Sequence, residues 1–512
     1  MSFDIDKIPN IQGINAIHGK YDEKKVPKKD TRVMRERQFQ HNKIMPSLER
    51  AIEYSGLKSG MTISFHHHFR NGDNVVNTVM DTIAKMGIKD LVIAASSLNE
   101  VHAPMIQHIK NGVVRRIETS GMRGDLAKAV SHGLMDIPVV FRSHGGRAAA
   151  IESGELHIDV AFLGAPSCDP FGNANGYNRE SDEGKACGSL GYAKLDALYA
   201  DTTIIVTDTI VSYPNTPFSI PESHVEYIVQ VDSIGDPAGI MSGATRYTKN
   251  PKELLIAKAA ADVIEHSGYF NDDFSMQMGS GGASLATARY LREKMIQKNY
   301  KARFALGGIT GQIVEMYEEG LVKKILDVQS FDLIAANSLK NNRFHHQIDA
   351  SYYASYMNAG AAVNQLDFCI LSALEVDTNF NINVMTGSDG VIRGAVGGHP
   401  DAAAGASLTI VVTPLLRGRI PCVCDRVNTI VTPGYTIDVV VTDQGIAVNP
   451  NRPELREKLL AAKLPVMTIE QLRDKAYAIA GKPEPIKYKD RVVGLLMYRD
   501  NSIIDVIREV DD

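Results

Sequence analysis

From Leu48 onward the chain alternates short apolar runs with stretches of helical spacing. MTISFHHHF (61–69) reads as a strand running into the polar loop RNGD. In VVNTVMDTIAKMG (75–87), Val76, Val79, Met80, Ile83 and Met86 fall on one stripe, which predicts a helix with one buried face. LVIAASS (91–97) is apolar throughout and ends in small polar residues, the pattern of a parallel strand buried on both faces that feeds a loop. HAPMIQHIKNG (102–112) predicts a helix stopped at Gly112. VVRRIETS, IPVVFRSHGG, HIDVAFLGAPS and TTIIVTDTIV predict further strands. Strand and helix alternating over such a length imply an α/β fold with a largely parallel sheet.

The pattern then recurs. FSMQMGSGGASLATARYLREKM (274–295) repeats the strand, loop and helix of 62–83, and ARFALGGITGQ (302–312) repeats DLVIAASSLNE. GLVKKILDVQS (320–330) repeats GVVRRIETS. IDVAFLGAPSCDPFGN (158–173) matches LDFCILSALEVDTNFN (366–381) most closely, pairing Asp159 with Asp367, Asp169 with Asp377 and Asn173 with Asn381 at a constant offset of 208. A constant offset carrying the same polar residues implies two copies of one unit. The fold expected is therefore two tandem, similar, open α/β domains with largely parallel sheets, facing each other across a cleft. The expected boundaries are a polar arm over 1–46, a first domain over 47–240 and a second over 241–512. The Gly- and Pro-rich stretch 220–243 joins the copies. Segments 399–433 and 436–450 read as strands closing the second sheet, and 452–512 as a mostly helical tail in which DRVVGLLMY forms one last strand.

Charge and cysteine content narrow the function classes. Among 512 residues, 55 Lys and Arg against 60 Asp and Glu leave a net charge of -5, which argues against non-specific nucleic-acid binding. Five cysteines without framework spacing read as reduced thiols of a cytoplasmic protein, and C-x-C at Cys422 and Cys424 lacks the second pair a zinc site needs. Neither a secretory h-region nor an apolar run of ~18 residues is present, so no membrane association is expected.

In an open α/β sheet, ligands sit beyond the carboxyl ends of the strands, so the strand-end loops hold the candidates. GSGG (279–282), GGITGQ (307–312) and GAVGGHP (394–400) offer backbone N–H groups to an oxyanion or phosphate, or else are tight turns. His66, His67 and His68 invite three readings: a metal site, an anion-holding set together with Arg70, or structural histidines. On a strand His66 and His68 face one way and His67 the other; no HExxH or matching carboxylate set accompanies them, so no metal site is expected. RSHGGR places Arg142, Ser143, His144 and Arg147 around one turn, with guanidinium groups suited either to carboxylates of a ligand or to salt bridges. Asp169 and Asp377, recurring with their asparagines, read as loop-structuring Asx residues. There is no G-x-S-x-G elbow at a strand-to-helix turn and no Walker A sequence, which weakens hydrolase and triphosphatase readings.

Taken together, ISFHHHFRNGD, HGGRAAAIESGELHIDVAFLGAPSCDPFGN, DSIGDPAGIMSGATRYTKNP and QMGSGGASLA resemble the α subunits of citrate lyase, enzymes of citrate CoA-transferase type within the CoA-transferase superfamily. The resemblance runs from about residue 10 to the C-terminus. It implies exchange of acetate for citrate on a thioester carried by a CoA-like phosphopantetheine group of a small acyl-carrier (gamma) subunit. CoA thioesters would serve as substitutes. A citryl-lyase (beta) subunit would then cleave the product, within a complex that holds several copies of this chain. It leaves open whether citrate arrives with Mg2+, and whether another acid (citramalate, acetate or 4-hydroxybutyrate) is the acceptor. By this resemblance Gly279, Gly281, Gly282, Gly397 and Gly398 would cradle the thioester oxygen and pantetheine arm, and Gly307 and Gly308 would line the cofactor path. His66, His67, His68, Arg70, Ser143, His144 and Arg147 would hold citrate. Many CoA transferases use a glutamate nucleophile early in the second half; FDLIAANSLKNN (331–342) has none, and Glu375 in ALEVD reads as a loop residue. That departure implies direct attack of citrate on the acetyl thioester through a mixed anhydride.

Overall fold

The apolar runs become strands buried on both faces. In the computed structural model, which describes residues 7, 43–66, 68–180, 185–241, 248–279 and 281–511, every residue of Leu91–Ala95, Val160–Gly164 and Thr202–Thr207 is buried. The helix Val75–Lys85 lays Val75, Val76, Val79, Met80 and Ile83 against the sheet, as the 3.6-residue spacing requires. The Met105–Lys110 helix ends where Gly112 turns left-handed at φ +72°. Phe65 and Phe162 stack between neighbouring strands with ring centroids 5.8 Å apart.

Two sheets result. In the first, seven parallel strands lie in the spatial order Tyr227–Gln230, Thr202–Thr207, Val160–Gly164, Thr62–Phe65, Leu91–Ala95, Val114–Thr119, Val139–Phe141. In the second the order is Val439–Thr442, Leu408–Val412, Phe368–Ser372, Ser275–Met278, Phe304–Ile309, Ile325–Ser330, His345–Gln347. Taken one for one, these are the same topology, so the repeat found in the sequence is a duplicated lobe. Its polar signature has a physical origin. The Asp159 carboxylate accepts from Thr62 N–H at 2.7 Å, and Asp367 accepts from Ser275 N–H at the same distance. Asp169 accepts from the N–H groups of Phe171, Gly172 and Asn173, and Asp377 from those of Asn379 and Asn381. Both pairs of aspartates fasten loops to strands, the structural role expected for Asp169 and Asp377.

The edges differ from the expectation. The tail does contain the helices Pro453–Ala461 and Ile469–Ala480, but it ends in an antiparallel pair, Tyr488–Met497 and Ile503–Val510. That hairpin joins the first sheet, with Gly494–Leu496 beside Val139–Phe141. The tail therefore does not belong wholly to the second lobe. The Val139–Phe141 strand would otherwise be an unpaired edge, whereas Gly445–Val448 and Val466–Met467 already extend the second sheet. Residues 41–512 form one compact unit. Most of the expected N-terminal arm lies outside the described residues; Ile44–Met45 adds a short parallel strand beside Tyr227–Gln230. All five cysteines are buried free thiols. Among the described residues no helix is long and apolar enough to cross a membrane.

Candidate active site

The two lobes meet through backbone hydrogen bonds between loops. Gly394–Gly397 of the second lobe runs along the strand ends of the first. Met122 N–H donates to Gly394 O (3.1 Å), Val396 N–H to Ser120 O (2.7 Å) and His144 N–H to Gly397 O (2.9 Å). Gly145 is required by this seam: a Cβ there would stand 2.0 Å from the carbonyl oxygen of Ala354. Gly397 sits at φ +57°, where a side chain is strained, and no hydrogen bond among the described residues engages the N–H of Gly397 or Gly398.

Beside this seam lies a cluster of buried polar rings. The strand ends at Phe65, before the histidines, yet the His66 and His68 rings lie against each other, tilted by 46° with centroids 3.7 Å apart; His67 lies outside the described residues. The His144 ring packs on Tyr192 at 4.6 Å, and its Nδ1 has no hydrogen-bond partner among the described residues. Gln277 donates from Nε2 to the Tyr353 hydroxyl at 3.0 Å, and Tyr353 in turn fills the space beside Gly398. Desolvation pushes both His66 and His144 down to about 3, with the Arg147 charge adding to the effect. Both rings are therefore neutral at physiological pH and can donate one hydrogen bond each.

Several residues singled out as substrate ligands have other work. Arg147 makes a two-pronged bond to Asp196, Nη1 to Oδ1 at 2.7 Å and Nη2 to Oδ2 at 2.8 Å, and Nη2 also reaches Ala94 O at 2.9 Å. Both side chains are almost wholly inaccessible, 4% and 0%. The two terminal nitrogens of Arg147, expected to hold citrate, are thus engaged within the protein, chiefly by a carboxylate 49 positions away, while its Nε has no partner among the described residues. Arg142 is likewise paired, to Glu118 and Asn501. Ser143 caps its helix by accepting from Gly146 N–H and donates to Asp401 at 2.9 Å. Arg70 keeps a site-like position. At φ +53° it reaches Ile240 O and lays its guanidinium 5.2 Å over the Phe331 ring of the other lobe; burial and the neighbouring Arg123 push its pKa down to about 10.

The glycine loops divide in the same way. Gly279 spends its N–H on Ile370 O at 2.7 Å, so it cannot serve an oxyanion. A Cβ at Gly281 would meet Ser372 Oγ at 2.2 Å, and one at Gly282 would meet Glu253 Oε2 at 2.5 Å. The N-terminus of the Gly282–Lys298 helix therefore has a carboxylate of its own beside it, where an anionic ligand was expected. Gly307 and Gly308 form a bulge at which an added Cβ would meet Gln277 and Phe331 respectively. Gly397 and Gly398 keep their N–H groups available among the described residues.

Three carboxylates of the site region are bound to protein donors. Glu375 accepts from Asn383 Nδ2 (2.8 Å), Asn428 N–H (3.0 Å) and Asn428 Nδ2 (2.9 Å), while burial raises its pKa. Asp332 caps the Leu333–Asn341 helix and also accepts from Gly311 N–H. Asp401 accepts from Ser143 Oγ and from Gly145 N–H, each at 2.9 Å, and desolvation pushes it up to about 6. Where the sequence lacked a glutamate, the chain carries Phe331, packed under Arg70.

A family description for the citrate lyase alpha subunit matches residues 41–510. The chain belongs to the citrate lyase alpha-subunit family. Curated citrate lyase alpha chains of Haemophilus influenzae and of Escherichia coli K12 are each 56% identical to it, over 92% of this chain and 93% and 91% of theirs. A solved alpha subunit of citrate lyase from Streptococcus mutans, in complex with citrate, is 60% identical over 92% of both chains, with a TM-score of 0.89. A 4-hydroxybutyrate CoA-transferase from Porphyromonas gingivalis shares the fold at 17% identity, covering 85% of this chain and 96% of its own, with a TM-score of 0.53. As a citrate lyase alpha subunit, the chain is a component of a transferase and lyase enzyme complex.

Asp196, Asp401, Tyr192, Gln277 and Tyr353 escaped the sequence reading. GAVGGHP stops one residue short of Asp401. Asp196, an acid amid GYAKLDALYA, carried a signal in being the lone carboxylate of a buried helix.

Proposed function

We propose that the chain exchanges acetate for citrate on the thioester of an acyl-carrier subunit, without a covalent enzyme intermediate. A citrate carboxylate oxygen attacks the acetyl carbonyl carbon, the C–S bond breaks and a thiolate leaves, giving a mixed acetic–citric anhydride. The thiolate then attacks the citryl carbonyl and acetate departs. Carboxylate and thioester are both poor reactants in water, so proximity and oxyanion stabilisation supply the acceleration.

The observation that carries this reading is the state of the carboxylates. Glu375, Asp332 and Asp401 are each saturated by protein donors, while the N–H groups of Gly397 and Gly398 stay available. A site that presents backbone N–H groups to an oxyanion while Glu375, Asp332 and Asp401 are held by protein donors is suited to a substrate that brings its own nucleophile. Arg70 would hold a citrate carboxylate, with the neutral His66 and His144 as hydrogen-bond donors and His68 beside them. The phosphopantetheine arm would enter along the Gly397–Gly398 side of the seam. A citryl-lyase subunit would take the product.

The test is exchange by the isolated protein, supplied with acetyl-CoA and citrate in place of the carrier. Citryl-CoA and acetate should form together, and the intact mass of the protein should not change during turnover. A protein-bound acyl or thioester adduct in the mass spectrum rejects the direct-attack route. Turnover with citramalate but not citrate rejects the acceptor.

A further inference from the structure

A cavity of about 330 Å³ opens between the lobes, and none of the strand-end residues described above lines it. The chain is acidic overall, yet this wall holds Arg179, Lys194, Lys340 and Arg343 and not one Asp or Glu. Two of these cations come from the first lobe and two from the second. Lys194 stands on the Gly191–Tyr199 helix and Lys340 in the last turn of Leu333–Asn341.

Among the described residues no carboxylate lies within ion-pair distance of Arg179, Lys194 or Arg343. Arg179 instead leans on the Tyr177 ring at 5.4 Å, and Arg343 on the Phe344 ring at 5.3 Å. Stacking orders a guanidinium without neutralising it, so its charge stays available to an anion; Arg179 also donates from Nη2 to the Tyr177 hydroxyl at 3.4 Å, which leaves its other donors for a ligand. Lys194 is partly desolvated, and burial lowers its pKa against the opposing pull of Asp349, which does not line the cavity. Acids next to the wall are engaged elsewhere: Glu318 with Asn342 Nδ2, Asp327 with His345 and Ser330, and Glu180 with Ser212 N–H. The C-terminal end of the Leu333–Asn341 helix opposes an anion, but its partial charge is smaller than one whole cation and four surround the space. Phe218, 48% exposed, presents an unpartnered ring on the same wall.

We infer that this cavity binds the phosphate groups of a nucleotide, with Arg179, Lys194 and Arg343 on the phosphate oxygens and Phe218 against the base. The volume suits one nucleotide. Either a free nucleotide or the nucleotide end of a larger thioester substrate carries this chemistry. The inference uses none of the residues assigned to acyl exchange and stands if that assignment fails.

The test is calorimetric titration of the full chain with ADP, inorganic pyrophosphate and adenosine. ADP should bind, pyrophosphate should compete with it, and adenosine should not bind in the same range. The affinity for ADP should fall several-fold between 50 and 300 mM salt. Arg179→Glu and Arg343→Glu, one exposed residue from each lobe, should each weaken ADP at least tenfold while the unfolding temperature stays within about 2 °C of wild type. Absent ADP binding, or binding that both variants leave intact, overturns the inference. Two further outcomes support it and separate the sources. If ADP competes with acetyl-CoA, the site holds the nucleotide end of the thioester; if ADP binds and leaves the acetyl-CoA KM unchanged, it holds a free nucleotide.

Discussion

Replacing Arg147 by alanine tests whether the HGGR turn is ligand-binding or structural. The guanidinium meets both oxygens of Asp196, at 2.7 and 2.8 Å, inside a region where the aspartate has no accessible surface. Arg147→Ala leaves that carboxylate buried and unpaired and strips Ala94 O of a donor. Breaking a buried pair from one side costs about 3–5 kcal/mol, because the surviving charge keeps its desolvation penalty. With a urea slope of about 3 kcal/mol/M, the unfolding midpoint should fall by about 1 M or more. Far-UV circular dichroism under urea measures it. Asp196→Ala should be similarly destabilised. The double variant Arg147→Met with Asp196→Leu should recover much of the loss, since neither charge is then stranded. The reasoning fails if Arg147→Ala unfolds at the wild-type midpoint and shows only a raised citrate KM. Arg147 would then be a substrate ligand after all.

Three other outcomes are expected. Asp401 has its pKa raised from the ordinary 3.8 to about 6, so its contribution favours folding at low pH and is lost as pH rises through about 6. The stability of Asp401→Asn relative to wild type should therefore climb by about 2 kcal/mol between pH 4 and 6.5 and level off above about pH 7, and a flat difference in urea titrations would contradict this. Glu375→Gln should keep measurable exchange with a somewhat lower unfolding temperature, because the carboxylate is an acceptor for Asn383 and Asn428 rather than a nucleophile; complete inactivity in a folded variant would reverse that view. Gly397→Ala, at φ +57° with only His144 Nε2 within 4 Å of the new Cβ, should cost about 1–2 kcal/mol of stability. Its kcat should fall further than that strain explains, and an unchanged kcat would remove the Gly397 N–H from the oxyanion role.

The fold was legible because its determinants are local. Leu91–Ala95 had to be a doubly buried strand on composition alone, and Asp159 and Asp367 announced the duplication because each ties its own strand to the next. The final hairpin was misplaced because pairing of Gly494 with Val139 spans most of the chain, and nothing in RVVGLLM says which sheet it will extend. The same limit governs the site. Gly397, Arg70 and the histidines stood out by residue type, but whether an arginine is free depends on a partner far along the chain. For Arg147 that partner is Asp196; for Ser143 it is Asp401, 258 positions away. Residue type names the capable groups, and only packing decides which are already engaged.

The duplication also explains where chemistry can arise. The helix His144–Ser153 and the helix Ala350–Ala354 follow equivalent strands of the two lobes, and they pack on each other where Gly145 meets Ala354. Like elements in contact mark a pseudo-twofold seam. The Gly191–Tyr199 and His399–Gly405 helices are equivalent in the same sense, each leading into an equivalent strand. Each supplies one aspartate to the same first-lobe helix: Asp196 grips Arg147 from within the lobe, and Asp401 grips Ser143 and Gly145 from across the seam. One helix terminus is thereby held by both halves, and it carries His144 against Gly397. A symmetric seam would offer two equal half-sites. Divergence of HGGR in one lobe and ASYYA in the other leaves imidazole on one side and a phenol on the other. The two faces of the seam are therefore chemically unequal although the lobes that build them share one topology.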